Sequence, residues 1–489
     1  MTILFLAPML VTAQVGGDRG VSQRQRDLEA YKQQRQAAFE HFKDSINLEF
    51  AKMLEQKWAD FEVFVGIEKE AKPKPEQIPI APKDTATRES QSLPYNEIVP
   101  AQGNEHQEKE VVPNVKQDDQ QNTSSIQSVT IDFYNQKLDF SLPIAYRGLR
   151  LDGLSERAIA KFWAALADNG YRFYVGQCQD KITQLSLNDW ATYELAVNIA
   201  TEVFQNHHAE QTVFTVFLLN QLGLDARIGR TNTQLLMLIP ARTRIYGRQY
   251  IDCDNISYYL FSLYPFEQQN LTSLTTYQVP FPADIQPLDL NIYQPIRFVS
   301  NPSNVIYQTS YWGKVVPFQV NQNAISFYSH YPQVDVALYA NAQMSEELLD
   351  WAKKQIKPTL DEYSDYEAVS MLLYYLQTEF EYATDADQFG YEKPFFCEEN
   401  FFYPKNDCED RAILLSYLVR NLTGRKIILL DYPNHIATAV NFSENDLTGD
   451  YYLVDGEKYY VCDPTYMGAS IGESMPEYKE VRADIIKLK

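Results

Sequence analysis

Asn406-Asp407-Cys408-Glu409-Asp410-Arg411-Ala412 opens the stretch on which the reading of this chain turns, and Ile413-Leu414-Leu415-Ser416-Tyr417-Leu418 continues it. From residue 412 to residue 422 apolar side chains return every three or four positions, and Gly424 stands just past the last of them. That pattern predicts a helix with Asn406 or Asp407 as its cap and Cys408 at its start. A thiol is a poor nucleophile at neutral pH unless something favours the thiolate. The amide dipoles at a helix start do so, and the chemistry to expect from such a cysteine is acyl transfer.

Working outward, the apolar run 427–430 and the turn at Pro433-Asn434 lead into His435-Ile436-Ala437-Thr438-Ala439-Val440, which reads as a strand. Tyr459-Tyr460-Val461-Cys462-Asp463 reads as a second strand, closed by Pro464, which cannot donate to a ladder. A nucleophile at a helix start, a base on a strand and a carboxylate on the next strand make a triad. In it Cys408 attacks a carbonyl, His435 carries the proton, and Asp463 orients the imidazole and stabilises its charged form.

Asp407-Cys408-Glu409-Asp410 at a helix start, an isolated His435 leading a strand, and Cys462-Asp463-Pro464-Thr465-Tyr466 together resemble the transglutaminase-like superfamily of papain-type folds, over roughly the last 145 residues. The resemblance implies a Cys-His-Asp core in an exported bacterial protein, of a kind that acts more often as a peptidase or amidase than as a crosslinking enzyme. Hydrolysis and transamidation both stay open, because fold does not select the reaction. One oxyanion donor is expected from the backbone N–H of Cys408, and a second from Tyr403 or Asn406 in the segment just before the helix. Cys462 adjoins Asp463, so in a strand its side chain points to the opposite face and reads as packing. Five cysteines cannot all pair, and Cys408 is the expected free thiol.

The chain also resembles itself. The run 213–223 aligns with 413–423 at a shift of 200, and 250–261 aligns with 451–462 at a shift of 201. His208 then stands at the position of Cys408, Leu235 at that of His435 and Ser262 at that of Asp463, so no nucleophile–base pair is expected there. The fold class expected is α+β: a degenerate transglutaminase-like domain over 129–282, a β-rich module over 283–340, and a catalytic transglutaminase-like domain over 345–489. The β-rich expectation rests on residues 290–293, 305–309, 324–328 and 334–338, where β-branched and aromatic residues cluster between Asn, Pro and Ser.

Upstream, residues 3–11 form an apolar core of signal-peptide length, so 1–13 reads as a signal peptide and the mature protein as exported: periplasmic, on the cell surface or secreted. Residues 22–65 read as one long amphipathic helix whose apolar stripe needs a partner, either the body of the protein or another chain. Residues 71–128 are rich in Pro, Gln, Glu, Lys, Asp and Asn and read as a disordered linker. A net charge of −22 argues against nucleic acid as a partner. No cofactor or metal site is expected, since Asp385-Ala386-Asp387-Gln388-Phe389-Gly390 lacks the ligands that a calcium loop needs beyond its opening. The reading is a cysteine enzyme acting on amide bonds of protein or peptide substrates, cell-wall peptides among them. The alternative is a surface or periplasmic binding scaffold with a residual triad.

Overall fold

The computed structural model describes residues 45–68, 74–82, 90–99, 126–168, 170–264, 271–304, 307–311, 314–443 and 447–489. The fold is mixed α+β, built around two sheets of six and seven strands. The expected signal peptide over 1–13 and the first half of the expected long helix lie outside the described residues. Among the described residues no helix is long and apolar enough to cross a membrane.

The six-stranded sheet runs in the order Ala59–Glu62, Ser273–Thr276, Arg227–Arg230, Leu235–Pro240, Ile256–Phe261, Tyr250–Cys253. The seven-stranded sheet contains Ala483–Lys487, Ile427–Tyr432, His435–Asn441, Glu457–Cys462 and Asp450–Val454 in the same relative order. Registers agree as well as order. Arg227 pairs with Leu238 as Ile428 pairs with Ala439, Met237 with Phe261 as Thr438 with Cys462, and Tyr250 with Tyr259 as Tyr451 with Tyr460, each residue 201 positions further on. Each sheet follows a helix that is almost entirely buried, His208–Gln221 in one case and Cys408–Leu418 in the other. Side chains alternate between faces along these strands: Leu429, Val440, Tyr460 and Cys462 join the large core shared with the helices. Ile428, Leu430, Ala439 and Val461 join a second core on the opposite face.

Three expectations from sequence are corrected. First, the helix expected over 22–65 occupies 45–54 in the described part, and Ala59–Glu62 is a strand paired antiparallel with Ser273–Thr276. Ile46, Phe50 and Leu54 do form a buried stripe at four-residue spacing, but the Trp58 indole N–H caps the Leu54 carbonyl at 3.1 Å and ends it. Beyond that point burial alternates with the period of a strand. Second, the stretch 71–128, expected as a disordered linker, contributes structure in three places, the last being the start of the strand Ile126–Phe133. Residues 74–82 lie against the C-terminal unit, and Gln91–Ser92 and Tyr95–Val99 pair in parallel with Asp450-Tyr451 and with Ala483–Lys487, at the two opposite edges of the seven-stranded sheet. Only Leu93 and Pro94 separate the two strands, so the sheet is curled until its edges meet. Its edges are thereby covered, which polar composition does not reveal.

Third, the β-rich module expected over 283–340 is largely not β. A hairpin of Tyr307–Tyr311 and Lys314–Phe318 is present, but 324–328 lies in the helix Gln322–His330 and 336–338 in the helix Val336–Asn341. Asn321 caps the first, its side chain accepting from the Asn323 N–H at 3.1 Å. In the second, Val336, Ala337, Leu338, Tyr339 and Ala340 are all buried, so both faces are apolar and no period shows in the sequence. Residues 290–293 form no strand.

Candidate active site

Asp407 immediately precedes the helix Cys408–Leu418, whose first residue is Cys408. The Asp410 carboxylate turns back on this start, accepting from the Asp407 N–H at 3.2 Å and from the Phe395 N–H at 2.9 Å. The α-helix widens into a π-turn over Val419–Thr423 and stops at Gly424, whose φ of 71° is left-handed. Apolar residues on this helix press it against His435–Asn441, and the backbone N–H of Ile436 lies close enough to the Cys408 sulfur to favour its ionised form. The sulfur therefore lies against the end of the strand that begins with His435.

His435 is fully buried, and its Nε2 is 2.7 Å from Asp463 Oδ2. Its Nδ1 has no hydrogen-bond partner. The ring is clamped nearly parallel to Tyr478 and Tyr432, with centroids 5.3 and 6.3 Å away. Asp463 directly follows the strand Glu457–Cys462, and its second oxygen accepts from the N–H groups of Thr465 at 2.9 Å and Tyr466 at 3.2 Å. A carboxylate held this way keeps the imidazole proton on Nε2 and leaves the Nδ1 lone pair free to take a proton from a nucleophile. Burial, followed by Glu409 and Asp407, pushes the Cys408 thiol well above its usual range, with Lys74 and the Ile436 N–H opposing. That favours the protonated thiol, which is 1% exposed and donates to Glu409 Oε2 at 3.2 Å.

Of the two residues expected as oxyanion donors, Asn406 has its amide engaged elsewhere and Tyr403 is held by its ring in an aromatic cluster. Asn406 gives its amide to Asn400 Oδ1 at 2.7 Å and accepts from Arg411 Nε at 2.8 Å. The Tyr403 ring packs between Phe389, Phe395 and Phe402, with the Lys393 ammonium 4.9 Å above it. The backbone N–H of Cys408, first in its helix, has no acceptor within that helix and remains the donor the geometry offers.

Sequence reasoning did not single out two groups here. Gln377, buried on the helix Asp365–Glu379, donates to the carbonyls of Asp463, Tyr466 and Ala469 at 3.2, 2.8 and 3.1 Å, and its oxygen accepts from the Gly468 N–H. It ties down the loop that carries Asp463. A lone glutamine beside Leu373 and Leu376 was the available signal, since a polar side chain on an apolar face must satisfy its hydrogen bonds.

The second is Lys74, whose ammonium enters a cluster of acids around Cys408. It is 2.6 Å from Asp407 Oδ2, 3.0 Å from Glu392, 3.7 Å from Asp385 and in contact with Glu409. Burial works against its charge, but Glu409, Asp407, Cys408 and Asp385 outweigh that and hold it protonated. Burial raises Asp385 to about 7, with Lys74 opposing and Glu409 adding to the rise. The triplets Asp385/Glu392/Glu409, Asp385/Asp407/Asp410 and Asp407/Cys408/Glu409 each bring ligand atoms within 4.8 Å of one another. Hard oxygen donors in that number suit a cation, and Lys74 supplies one.

At the corresponding end of the six-stranded sheet, Thr231 N–H bonds the Gln234 carbonyl at 2.9 Å, the turn that Tyr432 and His435 make in the other sheet. The shared register thus sets Gln234, not Leu235, opposite His435, with Ser262 opposite Asp463 and His208 at the helix start. These residues, with His207, Glu210 and Tyr264, line an open cavity of about 390 Å³. Comparison of the chain with family models, curated proteins and solved structures finds no match.

Proposed function

We propose that this chain is an exported cysteine-nucleophile enzyme of transglutaminase-like type, hydrolysing or transferring the amide acyl groups of protein or peptide substrates. The observation that carries the reading is the His435–Asp463 pair, buried and 2.7 Å apart, with Nδ1 unpartnered and Cys408 against the same strand end. His435 Nδ1 takes the thiol proton as sulfur attacks the carbonyl carbon, and the imidazolium returns that proton to the leaving amine. The Cys408 N–H at the helix start stabilises the oxyanion. Water then cleaves the thioester in a hydrolase, or a primary amine takes the acyl group in a transferase.

On this reading the unit over 129–282 is a degenerate copy of the catalytic one. Its support is the common strand order and the constant 201-residue offset of pairing, with His208, Gln234 and Ser262 in place of the triad. The cavity in that copy favours a second reading, a surface or periplasmic binding scaffold in which the triad is residual. Alkylation of Cys408 against pH, followed by site-resolved mass spectrometry in the wild type and in His435→Ala, separates the two. An activated pair gives a rate that falls with loss of His435, whereas a residual triad titrates the same way in both proteins. Competition between water and a primary amine for the acyl group then distinguishes hydrolysis from transfer.

A further inference from the structure

Residues 74–82 cross the site and are held chiefly at their two ends. At one end Lys74 is 5% exposed among Asp385, Glu392, Asp407 and Glu409, and the next residue fastens the backbone, the Tyr382 hydroxyl donating to the Pro75 carbonyl at 2.8 Å. At the other end the Met467 N–H bonds the Pro79 carbonyl at 2.8 Å and the Ala81 N–H bonds the Met467 carbonyl at 2.9 Å, a short parallel pairing. Ala81 belongs to the buried cluster that includes Tyr466, Ala469 and Tyr478, and Tyr478 is the ring stacked on His435. Between the anchors Glu76 and Gln77 are exposed, and Ile80 is 74% exposed. The segment therefore runs from the acids beside Cys408, itself 1% exposed, to the cluster beside His435.

The pocket holds more carboxyl groups than one ammonium can pair. Asp407 Oδ1, on a residue that is fully buried, has no hydrogen-bond partner. Burial and neighbouring acids push Asp407 and Glu392 up, Asp407 the further. Such a pocket favours a cationic group over a neutral one of equal size, because unpaired acids left without it carry the full cost of desolvation. Pro75 and Pro79 fix φ on either side of a bend at Glu76 and Gln77, which lowers the cost of ordering the segment. Two anchors with exposed residues between them make a contact of low local stability, one that opens without unfolding the body.

We propose that the acidic pocket beside Cys408 is a recognition subsite for a lysine- or arginine-type side chain of a peptide, and that residues 74–82 occupy it in cis as a displaceable strap. The proposal rests on the cysteine-nucleophile reading for the peptide being a substrate. It commits to a basic side chain at the pocket and a small residue seven positions later, where Ala81 sits beside Met467.

The test measures alkylation of Cys408 by iodoacetamide in the full chain, resolved by mass spectrometry, with buried Cys178 and Cys462 as internal controls for unfolding. Lys74→Met keeps the aliphatic stem and removes the charge. Lys74 also favours the thiolate, so rates are referred to the thiolate through each protein's pH profile, and on that scale Cys408 labelling is expected to speed up about tenfold or more while the two controls stay unlabelled. Adding the nonapeptide of residues 74–82 is expected to restore protection in a saturable way, and the same peptide with norleucine for the lysine is not. Tyr382→Phe, which loses only the hydroxyl at the Pro75 anchor, is expected to give a smaller acceleration and serves if Lys74→Met labels the control cysteines. Equal Cys408 rates in the wild type and both variants overturn the strap. Equal protection by the norleucine peptide overturns the basic subsite, as does protection by calcium ion but not by the lysine peptide. Failure of the nucleophile reading shows separately, as a pH profile indifferent to His435→Ala.

Discussion

Asp463→Asn probes the site through a proton's position rather than through packing. In the parent, Oδ1 of Asp463 accepts from the N–H groups of Thr465 and Tyr466, while Oδ2 accepts from His435 Nε2 at 2.7 Å. Asparagine keeps the first set with its carbonyl oxygen, which turns its NH₂ toward Nε2. Nε2 must then accept, and the imidazole proton moves to Nδ1, the nitrogen that receives the thiol proton in the proposed mechanism. A buried hydrogen bond to a charged group is worth about 1.5–3 kcal/mol, which alone depletes the productive tautomer about 10- to 150-fold. Loss of the charge that stabilises the imidazolium adds to this, for a total of about 10³–10⁴ in rate, or about 4–5.5 kcal/mol. The assay is the rate of Cys408 acylation by a peptidyl electrophile from pH 6 to 8, made in the Lys74→Met background so that access does not limit it. Melting temperature is followed alongside, and it is expected to move by only a few degrees because the two backbone contacts persist. Acylation at the parent's rate and with the parent's pH profile would refute the assignment of His435 and Asp463 to Cys408.

Other consequences follow from the packing around the site. Gly449 has φ of 130°, and a Cβ there would meet Gly472 Cα and O at 2.7 Å, so Gly449→Ala is expected to cost about 2–4 kcal/mol in denaturant melts. Glu398 is buried, its ionisation pushed up to about 7 by desolvation, with the backbone N–H of Ser345 and other hydrogen bonds opposing. Its folded value lies above the unfolded one, so its carboxylate erodes stability as pH rises from about 4.5 to 7, with no further change above. Glu398→Gln should therefore gain on the parent between pH 5 and pH 8, by at most about 3 kcal/mol, and a melting difference independent of pH would contradict this. Arg411, fully buried, donates to Asn406 Oδ1 and to the Phe380 carbonyl at 2.8 and 2.7 Å. Arg411→Met strands those acceptors beside Asp407 and Asp410, and a loss of about 3–5 kcal/mol is expected in the same melts.

Much of the C-terminal unit was legible along the chain. The helix after Asp407 and the strands carrying His435 and preceding Asp463 all declare themselves by periodicity, and their boundaries fall where Gly424, Asn434 and Pro464 punctuate the sequence. The segment 324–328 misled because aromatic and β-branched residues there sit in a helix whose neighbours bury them, so propensity was overridden by packing. The sequence match at a shift of 200 to 201 was visible, but only the paired strands show that Gln234 rather than Leu235 corresponds in register to His435. A one-residue difference in the connection after the helix is invisible to an ungapped alignment, yet it exchanges the two faces of a strand.

By itself the sequence determined where the candidate groups stand, a thiol at a helix start, one imidazole opening a strand and one carboxylate just past the end of another, because each placement depends on local pattern within about ten residues. Tertiary structure alone decided what surrounds them. Lys74 stands 333 residues before Asp407 and Gln377 stands 86 before Asp463, in segments that read respectively as polar linker and as ordinary helix. Nothing local distinguishes a lysine bound for solvent from one that will neutralise buried acids. The choice is made only when folding removes the water that would otherwise solvate both charges.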